Sequence, residues 1–208
     1  MQLIILANQL QEQEISSKKI NEGVEVVFVD SEEALLKYPN MDAMMLLDPN
    51  VLPGSLRRFR DKIIFLNSVS QSLEPELSNY VSRINGWTTF LKNEVWEIVS
   101  RDGQRVSKIL NCLGWKFVFV ADKPGFVSAR IVAMIINEAY FALGDQVSSK
   151  AEIDTAMKLG TNYPFGPFEW SEKIGLKNIY SLLKALSDGN PRYEIAAAMK
   201  KEIEVLNA

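Results

Sequence analysis

The chain has 208 residues, 47% hydrophobic and 24% charged, with a net charge of -3, one cysteine and no histidine. That size and balance describe a globular chain able to bury one or two cores, and the negative balance leaves no electrostatic footprint for nucleic acid. A lone Cys112 cannot form an intramolecular disulfide, and with no histidine it excludes a zinc-type metal centre.

Taken in order, the amino terminus MQLIILANQLQEQE lacks the basic region and long apolar run of a secretion signal, which predicts a cytoplasmic location. Leu3 to Ala7 reads as a buried strand and Val24 to Asp30 as a second, with a short polar segment between them. Met44 to Asp48 and Lys62 to Asn67 continue the series, with a helix expected at Leu56 to Phe59. Strands alternating with helices predict a parallel α/β sheet of Rossmann-like order. The run Arg57-Arg58-Phe59-Arg60 reads as a solvated helix face, the other reading being a contact with nucleotide phosphates. Val95 to Val99 reads as a strand carrying Glu97, and Asp102 to Leu113 as a helix with Val106, Ile109 and Leu110 inward.

Lys116 to Val120 is strand-like and must end at the turn Asp122-Lys123-Pro124-Gly125. Beyond it, Phe126 to Leu143 is apolar nearly all round, which predicts a helix buried on most sides, with Gly144 just past its end. Its polar residues Arg130, Asn137 and Glu138 argue against a membrane span. Ser149-Lys150-Ala151-Glu152 is a capping box, followed by a stripe of Ile153, Ala156, Met157 and Leu159 and by Gly160 as terminator. Next comes Asn162-Tyr163-Pro164-Phe165-Gly166-Pro167-Phe168-Glu169-Trp170, whose prolines and glycine set a turn, with Pro167 suited to a first helical turn. Lys177 to Leu186 and Tyr193 to Leu206 read as further helices, the last with Ile195, Met199, Ile203 and Leu206 on one face. The organisation expected is two domains, a sheet domain over 1–121 and a helical domain over 122–208.

The segments PGFVSARI, NEAYFAL, EIDTAMKLGTNYPFGPFEW and IGL, in this order, resemble the carboxy-terminal helical domain of the 3-hydroxyacyl-CoA dehydrogenase family, and of bacterial 3-hydroxybutyryl-CoA dehydrogenases in particular. The resemblance implies a truncated Rossmann-like sheet domain followed by an all-α domain, NAD as cofactor, an acyl-CoA substrate and dimerisation through the helices. It also implies site residues. The family's strand motif corresponds here to Asn67, Ser68 and Ser70, its catalytic histidine to Thr88, its histidine-orienting glutamate to Glu97, its substrate-facing asparagine to Ala129 and its ribose-binding acid to Asp30.

The departures lie where the chemistry would be. A threonine hydroxyl cannot hold and release a proton near neutral pH as a histidine does, and loss of a general base costs about a hundredfold to ten-thousandfold in rate. No glycine precedes Gly23, although a dinucleotide needs a glycine-lined turn after the first strand, and Glu12 adds negative charge there. Ala129 offers no hydrogen bond, and the helical insertion that grips coenzyme A in the family is reduced to Ser31 to Met41. The sequence therefore predicts a shortened, catalytically degenerate relative with no cofactor, binding an acyl-CoA-like or other small ligand or a protein partner, as a homodimer or as a heterodimer with a homologue. The alternative is an active NAD-dependent dehydrogenase of fatty-acid metabolism with a rearranged site.

Overall fold

A computed structural model describes residues 1–48 and 53–207 and divides the chain into two compact units, Met1–Phe126 and Val127–Ala208. The first is built on β1 (Gln2–Leu6), β2 (Glu25–Val29), β3 (Ala43–Leu46), β4 (Ile63–Asn67), β5 (Val81–Ile84), β6 (Val95–Val99) and β7 (Lys116–Phe119). They form one sheet in the order β2-β1-β3-β4-β5-β6-β7, parallel throughout except where β6 runs against β5. The continuous apolar runs of β1, β3 and β4 follow from burial on both faces. Leu3, Ile5, Met45 and Phe65 point into one core layer and Ile4, Leu6, Met44 and Ile64 into the other. The first layer is closed by α3 (Gly103–Leu113) through Val106, Leu110 and Leu113, and the second by α2 (Glu32–Leu35) and a 3-10 helix, Pro53–Phe59.

Three details differ from the sequence expectation. The segment after β1 is a helix, α1 (Gln9–Ser16), opened by a capping box between Asn8 and Gln11; with only Gln11 and Ile15 buried it carries almost no apolar period. A further strand, β5, joins the sheet despite containing Ser82 and Arg83, because Ser82 bonds to Ser100 and Arg83 pairs with Asp122. The segment expected as a helix at Leu56 to Phe59 takes the tighter 3-10 form; on it Arg57 meets Glu76 at 3.1 Å and Arg58 meets Glu32 at 3.8 Å, surface pairs that fit the solvated reading.

The second unit consists of α4 (Ser128–Gly144), α5 (Lys150–Thr161), α6 (Pro167–Ile174), α7 (Leu176–Ser187) and α8 (Ala197–Val205). The helix α4 is not buried all round: Ala129, Val132, Ala133, Ile136 and Tyr140 form a buried face, while Ile131 is 55% exposed. Gly144 lies inside the helix, which is capped by Asp145. Asn137 explains a polar residue on the inward face, since its amide donates to the Glu194 carbonyl at 2.8 Å and accepts from Ala196 N–H at 3.0 Å, tying down the start of α8. The face expected over Tyr193 to Leu206 is split, with Tyr193 in a 3-10 turn and Leu206 exposed, while Ile195, Met199 and Ile203 are buried.

The helix α5 carries the largest correction. Its capping box stands as the sequence predicts, but it runs past Gly160 to Thr161 and ends on Asn162, which takes the left-handed conformation at φ 57°. Its buried residue is Asp154, whereas Leu159 of the expected stripe is 83% exposed. The carboxylate of Asp154 accepts the backbone N–H groups of Phe168 at 2.8 Å and Glu169 at 3.1 Å, so a charge on α5 satisfies the amino terminus of α6. Tyr163 and Phe165 pack on Trp170, with ring centroids 5.5 and 6.2 Å apart, and anchor the turn between the two helices.

The capping box of α5 makes a pH prediction. Hydrogen bonds from the hydroxyls of Ser148 and Ser149 and from the backbone of Ser149 hold the Glu152 carboxyl down at about 2, against an ordinary value of 4.5. A depressed carboxyl stabilises the fold above its ordinary range and loses that contribution as pH falls from about 4.5 to about 2. The stability advantage of the native chain over Glu152→Gln is therefore expected at pH 6 and gone at pH 2, and a carbon-detected NMR titration should place the Glu152 midpoint near 2. A midpoint at the ordinary value would refute the reading.

Candidate functional site

In a parallel sheet of this order the strands β1, β3, β4 and β5 present their carboxyl ends along one edge, where α/β folds bind ligands. Asn67 closes β4, and its side chain donates to the Leu47 carbonyl at 2.9 Å and accepts the Gly86 N–H at 3.0 Å. Glycine is required at position 86, where a Cβ would stand 2.7 Å from the Asn67 Cγ. The same two backbone segments receive Gln11 from α1: its buried amide nitrogen donates to the carbonyls of Leu47 and Gly86, each at 3.0 Å, while its amide oxygen accepts Asn8 N–H at 3.1 Å. The turn after β1 lacks the glycine-lined backbone that a pyrophosphate needs, and its Asn8 and Gln11 amides are each bonded to the other's side chain.

Thr88 is half-buried in the turn that follows Gly86, and its neighbour Thr89 is buried at φ 80°, a left-handed conformation costly for a β-branched residue. Glu14 holds it there by accepting the Thr89 N–H at 2.7 Å. The second Glu14 carboxylate oxygen and the Thr89 hydroxyl are both buried without a hydrogen-bond partner. Strain and orphaned polar atoms thus gather beside the position that the resemblance assigns to a catalytic base.

The other sequence-assigned residues lie elsewhere. Ser68 is engaged locally, its hydroxyl donating to the Gln71 carbonyl at 2.8 Å, and Ser70 sits half-buried in the bend beyond it. Glu97 is half-buried on β6 opposite Val118. Asp30 precedes Ser31, the residue at the start of α2; it is exposed at the end of β2 and lines a cavity of about 380 Å3 with Glu12, Phe28, Lys37 and Tyr38. Ala129 belongs to the other unit and is completely buried in the first turn of α4.

Sequence reasoning missed Gln11, Glu14 and Arg83. The first was within reach, since Asn8 followed three residues on by Gln11 is a capping signature. Arg83 had no local signal. Its side chain is 1% exposed and pairs with Asp122, while its Nε donates to the Ser68 carbonyl at 2.9 Å and its guanidinium stacks 4.8 Å from the Phe126 ring centroid. Burial pushes its pKa down, and the Asp122 carboxylate opposes that shift. Gly125 N–H donates to the Val69 carbonyl at 2.7 Å, so the turn that ends the first unit is bound to the same loop as Arg83.

Among the described residues no group of three or more histidine, cysteine or acidic side chains could hold a metal ion, and no helix is long and apolar enough to cross a membrane. Residues 125–205 match the family model described as 3-hydroxyacyl-CoA dehydrogenase, C-terminal domain. The 3-hydroxyadipyl-CoA dehydrogenase of Escherichia coli is 45% identical over 84 residues, 39% of this chain and 18% of the relative. A probable 3-hydroxybutyryl-CoA dehydrogenase of Deinococcus radiodurans is 30% identical over 131 residues, 62% of this chain and 44% of the relative. The matches thus span less than half the length of these relatives. The solved structure of an (S)-3-hydroxybutyryl-CoA dehydrogenase from Ralstonia eutropha aligns over 98% of this chain and 93% of its own, with a TM-score of 0.71 at 20% identity, a likeness of fold.

Proposed function

We propose, from the match of residues 125–205 to the carboxy-terminal domain of the 3-hydroxyacyl-CoA dehydrogenase family, that the chain is a catalytically degenerate member which keeps the fold and binds an acyl-CoA-like or other small ligand or a partner without turning substrate over. The observation that carries the reading is the Gln11 side chain seated against the Leu47 and Gly86 carbonyls, where the family's cofactor would need open backbone. Thr88 in place of the histidine supports it, since a chain without histidine has no imidazole to take that proton. The reading includes no cofactor and a cytoplasmic location.

Dimerisation through the helical unit, with itself or with a homologue, belongs to the same proposal. Val127, Ile131, Val147 and Leu159 are large apolar residues exposed on that unit, the kind of surface that association covers. Sedimentation of the purified chain, compared with the complex isolated from native lysate, distinguishes a homodimer from a pairing with a homologue; a monomer in both would refute the association.

The test of function is direct. Incubating the chain with NADH and acetoacetyl-CoA and following nicotinamide absorbance is expected to give no turnover above the enzyme-free rate, and NADH is expected to show no enhanced nicotinamide fluorescence. Turnover would instead establish the second reading, an NAD-dependent dehydrogenase with a rearranged site. That reading is favoured by one observation, the cavity beside Asp30 at the end of β2.

A further inference from the structure

Four lysines from three separate segments surround one concavity of about 350 Å3 in the first unit of a chain whose net charge is -3. Lys18 and Lys19 follow α1, Lys92 comes from the loop after β5, and Lys116 begins β7; Glu94 and Trp115 complete the wall. The lining residues named here carry four positive charges and one negative, a formal +3. The Glu94 carboxylate is already hydrogen-bonded to Lys116, which holds its pKa below the ordinary range.

The charge is held on a rigid base. The Lys18 amine donates to the Asn93 carbonyl at 2.6 Å and lies 5.7 and 5.3 Å from the ring centroids of Trp96 and Trp115, which are packed 4.7 Å apart. Both indoles are locked, Trp96 donating to the Leu91 carbonyl at 3.1 Å and Trp115 to the Lys19 carbonyl at 3.2 Å. Burial lowers the Lys18 pKa and Glu94 offsets only part of that shift, so this ammonium gains from a further anion. A cation after a helix carboxyl end complements the helix dipole, which accounts for Lys18 and Lys19, while Lys92 and Lys116 are brought to the same recess by a loop and a strand, Lys116 paired with Glu94.

We propose that the concavity between Lys18, Lys19, Lys92 and Lys116 is an anion site that takes the diphosphate or polyphosphate group of a small molecule. Like charges gathered in a recess focus the field on a multiply charged ligand, and lysines act as point charges that suit phosphate oxygens. A duplex or single strand would need positive charge extended over a face, which a recess of this size with one acidic residue does not offer. The site shares no residue with the Gln11 crevice or the Asp30 cavity, so it stands whether or not the chain turns over substrate.

Titration calorimetry of the full chain with inorganic pyrophosphate at low ionic strength tests it. One saturable site is expected, weakening as salt is added, with affinity lowered about tenfold or more in the double variant Lys92→Gln with Lys116→Gln and raised about threefold in Glu94→Gln. These side chains are exposed, so the variants should keep the native circular dichroism and melting temperature. ADP binding more tightly than pyrophosphate would identify a nucleotide as the source of the diphosphate, and weaker binding the free polyphosphate. Absence of saturable binding, sulfate binding as tightly as pyrophosphate, or affinity unchanged in both the double variant and Glu94→Gln would each overturn the proposal. Nicotinamide fluorescence and turnover do not report on phosphate held here, so the two functional tests fail independently.

Discussion

Asp122→Ala is expected to destabilise the first unit by about 2–3 kcal/mol, because it leaves the Arg83 guanidinium buried without its counter-ion. Removing one partner of a buried pair typically costs about 3–5 kcal/mol; the Asp122 side chain is 39% exposed, so water can replace part of what it supplies and the figure is discounted accordingly. The carbonyls of Ser68 and Val69 remain as acceptors, but they carry no net charge. Urea unfolding followed by tryptophan fluorescence measures the effect, since Trp87, Trp96 and Trp115 all lie in this unit. Adding Arg83→Met to Asp122→Ala should recover part of the loss, because the charge itself is removed and an apolar chain remains against Phe126. A loss below about 1 kcal/mol in the single variant would show that the pair is not what holds Arg83 in the sheet.

Asp154→Ala should weaken the helical unit by a comparable amount, about 2–3 kcal/mol. It removes two charge-assisted hydrogen bonds and leaves the Phe168 and Glu169 N–H groups of α6 without an acceptor, one of them fully inside the protein. The contact is close: a Cβ at Gly166 would stand 2.3 Å from the Asp154 side chain, so Gly166→Ala must push α5 away from α6 and break the same bonds. Hydrogen exchange gives a readout confined to this helix, with the Phe168 and Glu169 amides losing protection in both variants. Asp154→Asn, which keeps one acceptor oxygen, is expected to fall between the native chain and Asp154→Ala. Full protection of those two amides in Asp154→Ala would sink the account.

These two residues show why part of the chain was legible and part was not. The strands β1, β3 and β4 are apolar runs with no alternative to burial, and the helix starts at Asp102, Ser149 and Gly166-Pro167 are local patterns whose parts lie within three or four residues. Arg83 and Asp154 are polar residues in buried positions, made tolerable by partners 39 and 14 to 15 residues away. A reading based on hydrophobic period must place them on the surface. The apolar stripe of Ile153, Ala156, Met157 and Leu159 leaves Asp154 outside the inward face of α5, and the same limit hides β5.

The candidate site divides in the same way. By itself the sequence determined which groups are absent, namely a histidine, an early glycine and the polar side chain at Ala129, because a missing residue type needs no geometry. It also determined the family resemblance of the helical half, through motifs carried on consecutive residues. Only the tertiary structure decided what stands in place of the missing groups: Gln11 against Leu47 and Gly86, Glu14 against a strained Thr89, and four lysines collected from three segments. Each of these depends on long-range contacts between α1, the strand ends and the loop after β5. Hydrogen bonds and charge act through distance in space, and the chain's order conceals that distance until the sheet has formed.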